Sequence, residues 1–138
     1  MNQILKGRES ERGSAGVKLV IAAVVIALVA HAGYNYVPVA YAAESLRTDM
    51  MTAVIQGLAL PGKVSPVENV KARIHQSAQR NDVPADALID VRQNGNALTA
   101  HVVYSKTVNI LPFGLYTYTY RFDHTATPTG FLMDSTKN

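Results

Sequence analysis

One long apolar stretch constrains this chain more than any other feature of its sequence. The stretch covers residues 17–38 and has no charged residue between Leu19 and Ala30. At roughly 20 residues it is long enough for a tilted helix to cross about 30 Å of hydrocarbon. An amphipathic helix of a soluble core would carry polar residues at every third or fourth position, and this stretch does not. The sequence therefore predicts a transmembrane helix over residues 17–38.

The two ends of this stretch carry residues that suit a membrane–water boundary. Lys18 can extend its ammonium group to one interface, while Tyr34 and Tyr36 are typical of the aromatic belt at the other. The lipid bilayer is therefore an expected partner of the chain. The membrane anchor is predicted to consist of large aliphatic side chains: Leu19, Val20, Ile21, Val24, Val25, Ile26, Leu28 and Val29.

A cleavable signal peptide is the main alternative to a retained anchor. Basic residues precede the apolar stretch, and Ala40-Tyr41-Ala42 matches the small-x-small pattern of a cleavage site. Because that site lies far beyond Ala30, a retained anchor is the favoured interpretation. Cleavage after Ala42 would instead release a secreted or periplasmic binding module.

The charges on either side of the stretch predict its orientation. Lys6, Arg8, Arg12 and Lys18 precede or open it, whereas only Arg47 follows it closely. Lys and Arg accumulate on the cytoplasmic side of membrane proteins. We therefore expect a protein of the bacterial inner membrane, with a cytoplasmic N-terminus and a periplasmic C-terminal domain.

The net charge of +3 does not indicate a nucleic-acid partner. After residue 40 the chain has nine Lys and Arg against eight Asp and Glu, so its exported part is nearly neutral. A nucleic-acid-binding domain needs a clustered basic surface, and no such cluster occurs. The sequence contains no cysteine, which excludes disulfides and thiolate chemistry.

The segment after the predicted span has the pattern of an amphipathic helix. Pro38 is expected to bend or interrupt the helix just beyond the membrane. A helical stalk is then predicted over residues 39–62, with Leu60-Pro61-Gly62 ending it. The apolar stripe of this stalk consists of residues at helical spacing: Leu46, Met50, Ala53, Val54 and Gly57.

Residues 63–125 predict a small α+β domain. Ser65 suits the N-cap of a helix, with Pro66 at its first position and Glu68 three residues after the cap. The helix stripe that would face a sheet includes Val70 and Ile74.

Three strands are predicted after this helix. A tight turn at Asn94-Gly95-Asn96 joins strands over residues 88–93 and 97–108. A second connection at Leu111-Pro112-Phe113-Gly114 leads to a strand over residues 115–123. The predicted fold class is thus α+β: an N-terminal transmembrane helix with an amphipathic extension, then one helix packed on a three-stranded antiparallel sheet. Residues 1–16 are expected to be a mobile cytoplasmic tail, and residues 126–138 a flexible tail.

The last strand carries the most specific pattern outside the apolar stretch. Its alternation places four aromatic side chains on one face, and we name them the aromatic ladder: Tyr116, Tyr118, Tyr120 and Phe122. Such a ladder is either packed beneath a helix or exposed as a contact face for an envelope protein. The sequence alone leaves both interpretations open.

No motif predicts catalysis, a cofactor, a metal or a small-molecule substrate. A metal site needs ligands at motif spacing or converging in space, and the histidines lie on separate predicted elements. Only His101 and His124 could approach each other, with Asp123 as the carboxylate that a site would need. No G-x-S-x-G elbow and no Gly-rich phosphate loop occurs. The chain is therefore expected to be non-enzymatic and to act through protein contacts.

The layout resembles a family of small pilin-like, single-pass bacterial membrane proteins, an uncharacterised domain family of proteobacteria and acidobacteria. The resemblance rests on the Tyr34-Asn35-Tyr36-Val37-Pro38 end of the span and on residues 70–120. We separately expect an accessory role in a cell-envelope, pilus-like or secretion-like assembly. True type IV pilins have a glutamate five residues after the glycine of the processing site, where this chain has Lys18 and Ile21. The resemblance therefore implies an architecture and no filament assembly.

Overall fold

The first helix of the chain runs unbroken through Pro38. The computed structural model describes residues 10–59 and 65–128, with side chains from residue 13 onward, and helix α1 spans Ser10–Leu58. Its 49 residues extend for about 74 Å at 1.5 Å per residue. Pro38 therefore does not interrupt the helix, although proline removes one helical hydrogen bond; a bend at Pro38, the other expected outcome, stays a prediction. The packing of α1 on both sides of Pro38, described below, outweighs that loss.

The ends of α1 also differ from expectation. Its first turns include residues 10–16, which were predicted to belong to a mobile tail, whereas residues 1–9 of that tail lie outside the described residues. Helix α1 ends at Leu58, and the predicted stop at Leu60-Pro61-Gly62 lies outside the described residues as well.

Helix α2 spans Pro66–Arg80 and confirms the predicted helix start. Pro66 occupies the first turn and Ser65 the N-cap position, but the Ser65 hydroxyl makes no capping hydrogen bond. The backbone carbonyl of Ser65 instead accepts from the amide of Asn69. Val70 and Ile74 are fully buried, as their spacing predicted.

Three antiparallel strands follow in the order β1-β2-β3. Strand β1 spans Leu88–Asn94, β2 spans Ala97–Asn109 and β3 spans Thr117–Ala126. The turn between β1 and β2 lies where it was predicted, with Gly95 at a φ of 62° that favours glycine. Strand β3 begins two residues and ends three residues later than the predicted strand, and residues 129–138 of the predicted tail lie outside the described part of the chain.

Both helices cover the same face of the sheet. Leu98, Ala100, Val102 and Tyr104 of β2 project from that face and are buried. The second half of α1, expected as a stalk ahead of the domain, supplies five hydrophobic residues to this core: Ala43, Leu46, Met50, Ala53 and Val54.

Burial makes the second half of α1 a structural part of the domain. Complete burial of side chains such as Leu46 and Met50 stabilises a fold by about 1.5–3 kcal/mol each. Gly57 lies against α2 so closely that a Cβ atom there would overlap the Val70 side chain. The apolar segment at residues 17–38 and the core therefore share one continuous helix.

Candidate functional site

The aromatic ladder projects from the covered face of the sheet. Its position follows from the register, since Phe122 pairs with Tyr104 and Tyr118 pairs with Val108. The rings of Phe122 and Tyr104 stack with their centroids 5.0 Å apart. Only 2% of the Phe122 surface is exposed, so this end of the ladder belongs to the core.

Burial decreases along the ladder toward the start of β3. Tyr120 is half-buried, whereas Tyr118 is 44% exposed and Tyr116 is 54% exposed. The rings of Tyr118 and Tyr120 each lie 6.2 Å from the ring of Tyr36, on α1. The ladder thus leaves the core and continues along α1 toward its apolar segment. A contact between its exposed end and another protein stays a prediction.

The packing role of Tyr36 was missed by the sequence analysis, which assigned that ring only to a membrane interface. The available signal was its place in the α1 pattern. Tyr36 lies seven residues before Ala43, two helical turns away, so it projects near the face that Ala43 buries.

The β2–β3 connection forms an apolar tip beyond the ladder. We name residues 110–116 the hairpin tip, and they contain a short 3₁₀ helix over Pro112–Gly114. Phe113 is 98% exposed and Leu115 is 76% exposed. Phe113 also has a φ of 61°, a conformation that is uncommon for residues other than glycine.

The predicted anchor residues form a bare apolar surface. Among the described residues, α1 is the one helix long and apolar enough to cross a membrane, as an anchor or a signal sequence would be, and none of its apolar window is buried by the protein. Leu28 is half-buried. The other anchor side chains are more than half exposed: Leu19, Val20, Ile21, Val24, Val25, Ile26 and Val29.

The histidines do not converge on a metal site. His101 lies on the outer face of the sheet, and its Nε2 atom is 2.7 Å from Oδ1 of Asp123. His124 projects from the opposite, covered face, since it pairs with Val102 rather than His101. In the described part of the chain, no three His, Cys, Asp or Glu side chains are grouped to hold a metal ion.

His124 has a perturbed pKa because it lies beside the core. Burial lowers the pKa of His124 below its usual range, and the positive charge of Arg47 lowers it further. The carboxylate of Glu44 opposes this shift. The environment therefore favours the neutral imidazole.

The remaining polar contacts join elements of the fold. The Ser77 hydroxyl of α2 donates to Oδ2 of Asp49 on α1, 2.5 Å away. The Lys106 ammonium, on β2, donates to the carboxylate and the carbonyl of Asp82 at the end of α2, and it lowers the pKa of Asp82. These contacts link the two helices and the sheet.

A polar depression of about 250 Å³ lies between α1 and α2. Its two guanidinium groups are already engaged: Arg73 donates to Gln56 and Asn69, and Arg80 lies 3.6 Å from Asp49. The depression has no histidine or lysine to serve as a base for Thr52, its hydroxyl residue. The most distinctive surface of the described chain is thus the apolar segment together with the hairpin tip.

Comparisons with known proteins identify no relative. No family model matches the chain, and no match was found among the curated proteins or the solved structures. The α+β fold and the candidate membrane-spanning helix therefore rest on this chain's own residues.

Proposed function

We propose that this chain is a non-enzymatic, single-pass membrane protein that acts through its small extracytoplasmic domain. Residues 17–38 would cross the bacterial inner membrane with the N-terminus in the cytoplasm. The domain would serve as an accessory or interaction component of a cell-envelope, pilus-like or secretion-like assembly. The proposed role follows from the arrangement of the chain, in which a candidate membrane-spanning helix carries a small α+β domain.

The bare apolar surface of α1 is the observation that carries the proposal. Side chains between Val17 and Val29 are exposed on every side of the helix. A soluble protein rarely leaves so large a continuous apolar surface in contact with water. Lipid removes this cost, because the bilayer core is as apolar as the side chains.

Contacts upstream of Ala42 favour a retained helix over the cleaved alternative. Tyr36 packs beside Tyr118 and Tyr120, so cleavage after Ala42 would remove its ring and expose two further aromatic side chains. A released binding module would keep Ala43 and the rest of the α1 core residues, and it remains the second candidate.

The N-terminus and the extraction behaviour of the mature protein separate these candidates. We expect the full-length mass, and we expect the protein to stay in membranes after an alkaline wash and to need detergent for release. A mature chain that begins at Ala43 would overturn the anchored proposal and establish the released module.

Orientation is testable with single cysteines, because the natural chain has none. Asn96→Cys in the domain should react with a membrane-impermeant maleimide in spheroplasts, and Gln3→Cys should react only after the membrane is opened. The reverse labelling pattern would overturn the proposed orientation. Crosslinking in intact membranes, followed by mass identification, would then test for a protein partner.

A further inference from the structure

We propose that the hairpin tip is a second membrane contact, which enters the outer leaflet of the same bilayer that α1 crosses. This inference rests on the proposed function, since it requires residues 17–38 to span the membrane. It assigns the exposed apolar side chains of residues 110–116 to a lipid surface.

The direction of the sheet places the tip on the membrane side of the domain. At one end of β3, His124 lies near Arg47 and Glu44 of α1. Six residues earlier, Tyr118 lies beside Tyr36. Strand β3 therefore runs alongside α1 in the same direction, and residues before Tyr118 continue toward the apolar segment.

Distances along both elements set the level that the tip reaches. With about 3.3 Å per strand residue, the tip extends roughly 10 Å past Tyr118. This length corresponds to about seven residues of α1 at 1.5 Å each. Counted back from Tyr36, the tip lies near Val29, at the domain-side end of the unbroken aliphatic run Leu19–Ala30 and in the outer half of the span over residues 17–38.

A half-buried stripe on α1 supports this placement. Its members recur every three or four residues and lead into the buried positions Ala43 and Leu46. Because Ala43 and Leu46 pack in the core, this stripe lies on the side of α1 that faces the sheet. The stripe consists of Leu28, Ala32, Asn35 and Val39, and His31, Gly33 and Ala40 beside it are half-buried as well.

The composition of the hairpin end suits lipid. Residues 107–120 contain no charged side chain, and Lys106 and Arg121 flank this run on the side of the core. Phe113 and Leu115 project almost freely from the tip. The three ladder tyrosines at residues 116, 118 and 120 follow them, in the order expected for an aromatic belt.

Several backbone amides of the tip already donate hydrogen bonds within the protein, which suits a medium that offers few hydrogen bonds. The amides of Ile110 and Leu111 both donate to the carbonyl of Tyr116, and the amide of Leu115 donates to the carbonyl of Pro112. Pro112 has no amide hydrogen to satisfy. Unsatisfied backbone groups are costly in lipid, so this bonding lowers the cost of entering the outer leaflet.

A lipid surface fits the tip better than a protein groove, because the apolar surface of the tip continues the apolar surface of α1. The tip reaches the level of Val29, where the exposed aliphatic side chains of α1 begin, so both would meet the same medium. A protein partner at that level would itself have to lie in the outer leaflet.

The absence of tryptophan from the chain gives the test a clean reporter. Three full-length variants would be reconstituted separately in phosphatidylcholine vesicles with acyl chains brominated at shallow or deep positions. Phe113→Trp reports on the tip, Val24→Trp on the middle of the span, and Asn96→Trp on the opposite turn of the sheet. We expect blue-shifted emission at position 113 that the bromines quench, quenching at position 24 as well and no quenching at position 96.

Each alternative outcome has a distinct meaning. Quenching at position 24 without quenching at position 113 would overturn the tip contact and leave the proposed anchor intact. No quenching at either position would overturn both. Blue-shifted but unquenched emission at position 113 would identify a protein contact, a second copy or another chain, and would also overturn the lipid assignment.

Discussion

The two turns of the sheet differ in polarity. The turn at Asn94-Gly95-Asn96 is polar, and it uses glycine where φ is positive. The hairpin tip is apolar, and it places Phe113 in the equivalent left-handed region. The polar turn lies beside Gly57, near the end of α1, and beside Pro66, at the start of α2. The tip, at the other end of the sheet, extends toward the apolar segment. One sheet thus has an end suited to water and an end suited to a less polar medium.

The largest expected effect separates the two ends of the aromatic ladder. Phe122→Ala should lower the free energy of unfolding by about 3–5 kcal/mol, because its buried ring stacks on Tyr104. Tyr118→Ala should cost only about 1 kcal/mol, since this ring is 44% exposed. Urea unfolding in detergent measures both values. Equal losses would show that the ladder is buried uniformly.

A substitution at Gly57 tests the packing of α1 near the polar turn. Gly57→Ala should destabilise the fold by about 1–3 kcal/mol, because the added methyl group must displace Val70. Gly33→Ala is the matched control in the same helix, since a Cβ atom there has no neighbour within 4 Å. Thermal unfolding of both variants is the measurement. A stabilised Gly57→Ala would mean that helix propensity outweighs the close approach.

Substituting the residues with positive φ in the two turns should change the stability of the fold in opposite directions. Gly95→Ala should cost about 1 kcal/mol, because alanine is strained at this φ. Phe113→Gly should raise stability in detergent by up to about 1 kcal/mol through relief of the same strain. Chemical denaturation compares them. A loss of stability in Phe113→Gly would show that the Phe113 ring contributes to the fold itself.

The smallest effect is a pH dependence at His124. In the unfolded chain a histidine titrates near 6.5, and the folded protein lowers that pKa. As the pH falls below about 6.5 the unfolded state binds the proton first, so stability should decline until the lowered pKa is passed. His124→Gln should weaken this decline, and His75→Gln, on the exposed face of α2, should leave it as in the natural chain. The measurement is the unfolding midpoint as a function of pH, between neutral and mildly acidic pH. If His124 does not contribute to the pH dependence, the midpoint of His124→Gln will fall with pH as steeply as that of the natural chain.

The features that depend on the periodicity of side chains along a helix or strand could be predicted from the sequence. The spacing of Leu46, Met50 and Val54 placed them on one helical face, and that face is buried. The alternation along β2 and β3 put Tyr104 and Phe122 on a shared face because register preserves side-chain direction. The Asn-Gly turn was predicted because its conformation restricts the residues that it accepts.

What depends on the placement of distant elements was not predicted. Local propensity suggested an interruption at Pro38, but the α1 positions on both sides of it pack against the sheet and keep one helix. The turn around Pro112 was located correctly, yet nothing local revealed that it extends toward the apolar segment of α1. The absence of charge over residues 107–120 was the signal, and it became informative only with the direction of β3.

The continuity of α1 couples the movement of the domain to that of the apolar segment. A flexible linker would let the domain reorient independently of the membrane-spanning segment. A continuous helix instead makes the domain tilt together with that segment. Transmembrane helices tilt by about 20° on average, and Tyr36 and Leu58 are separated by about 33 Å of helix. Such a tilt would carry the polar end of the sheet sideways by roughly 11 Å. A thinner membrane, which increases tilt, would therefore lower the domain toward the lipid surface, so that bilayer thickness itself sets the height of the polar turn.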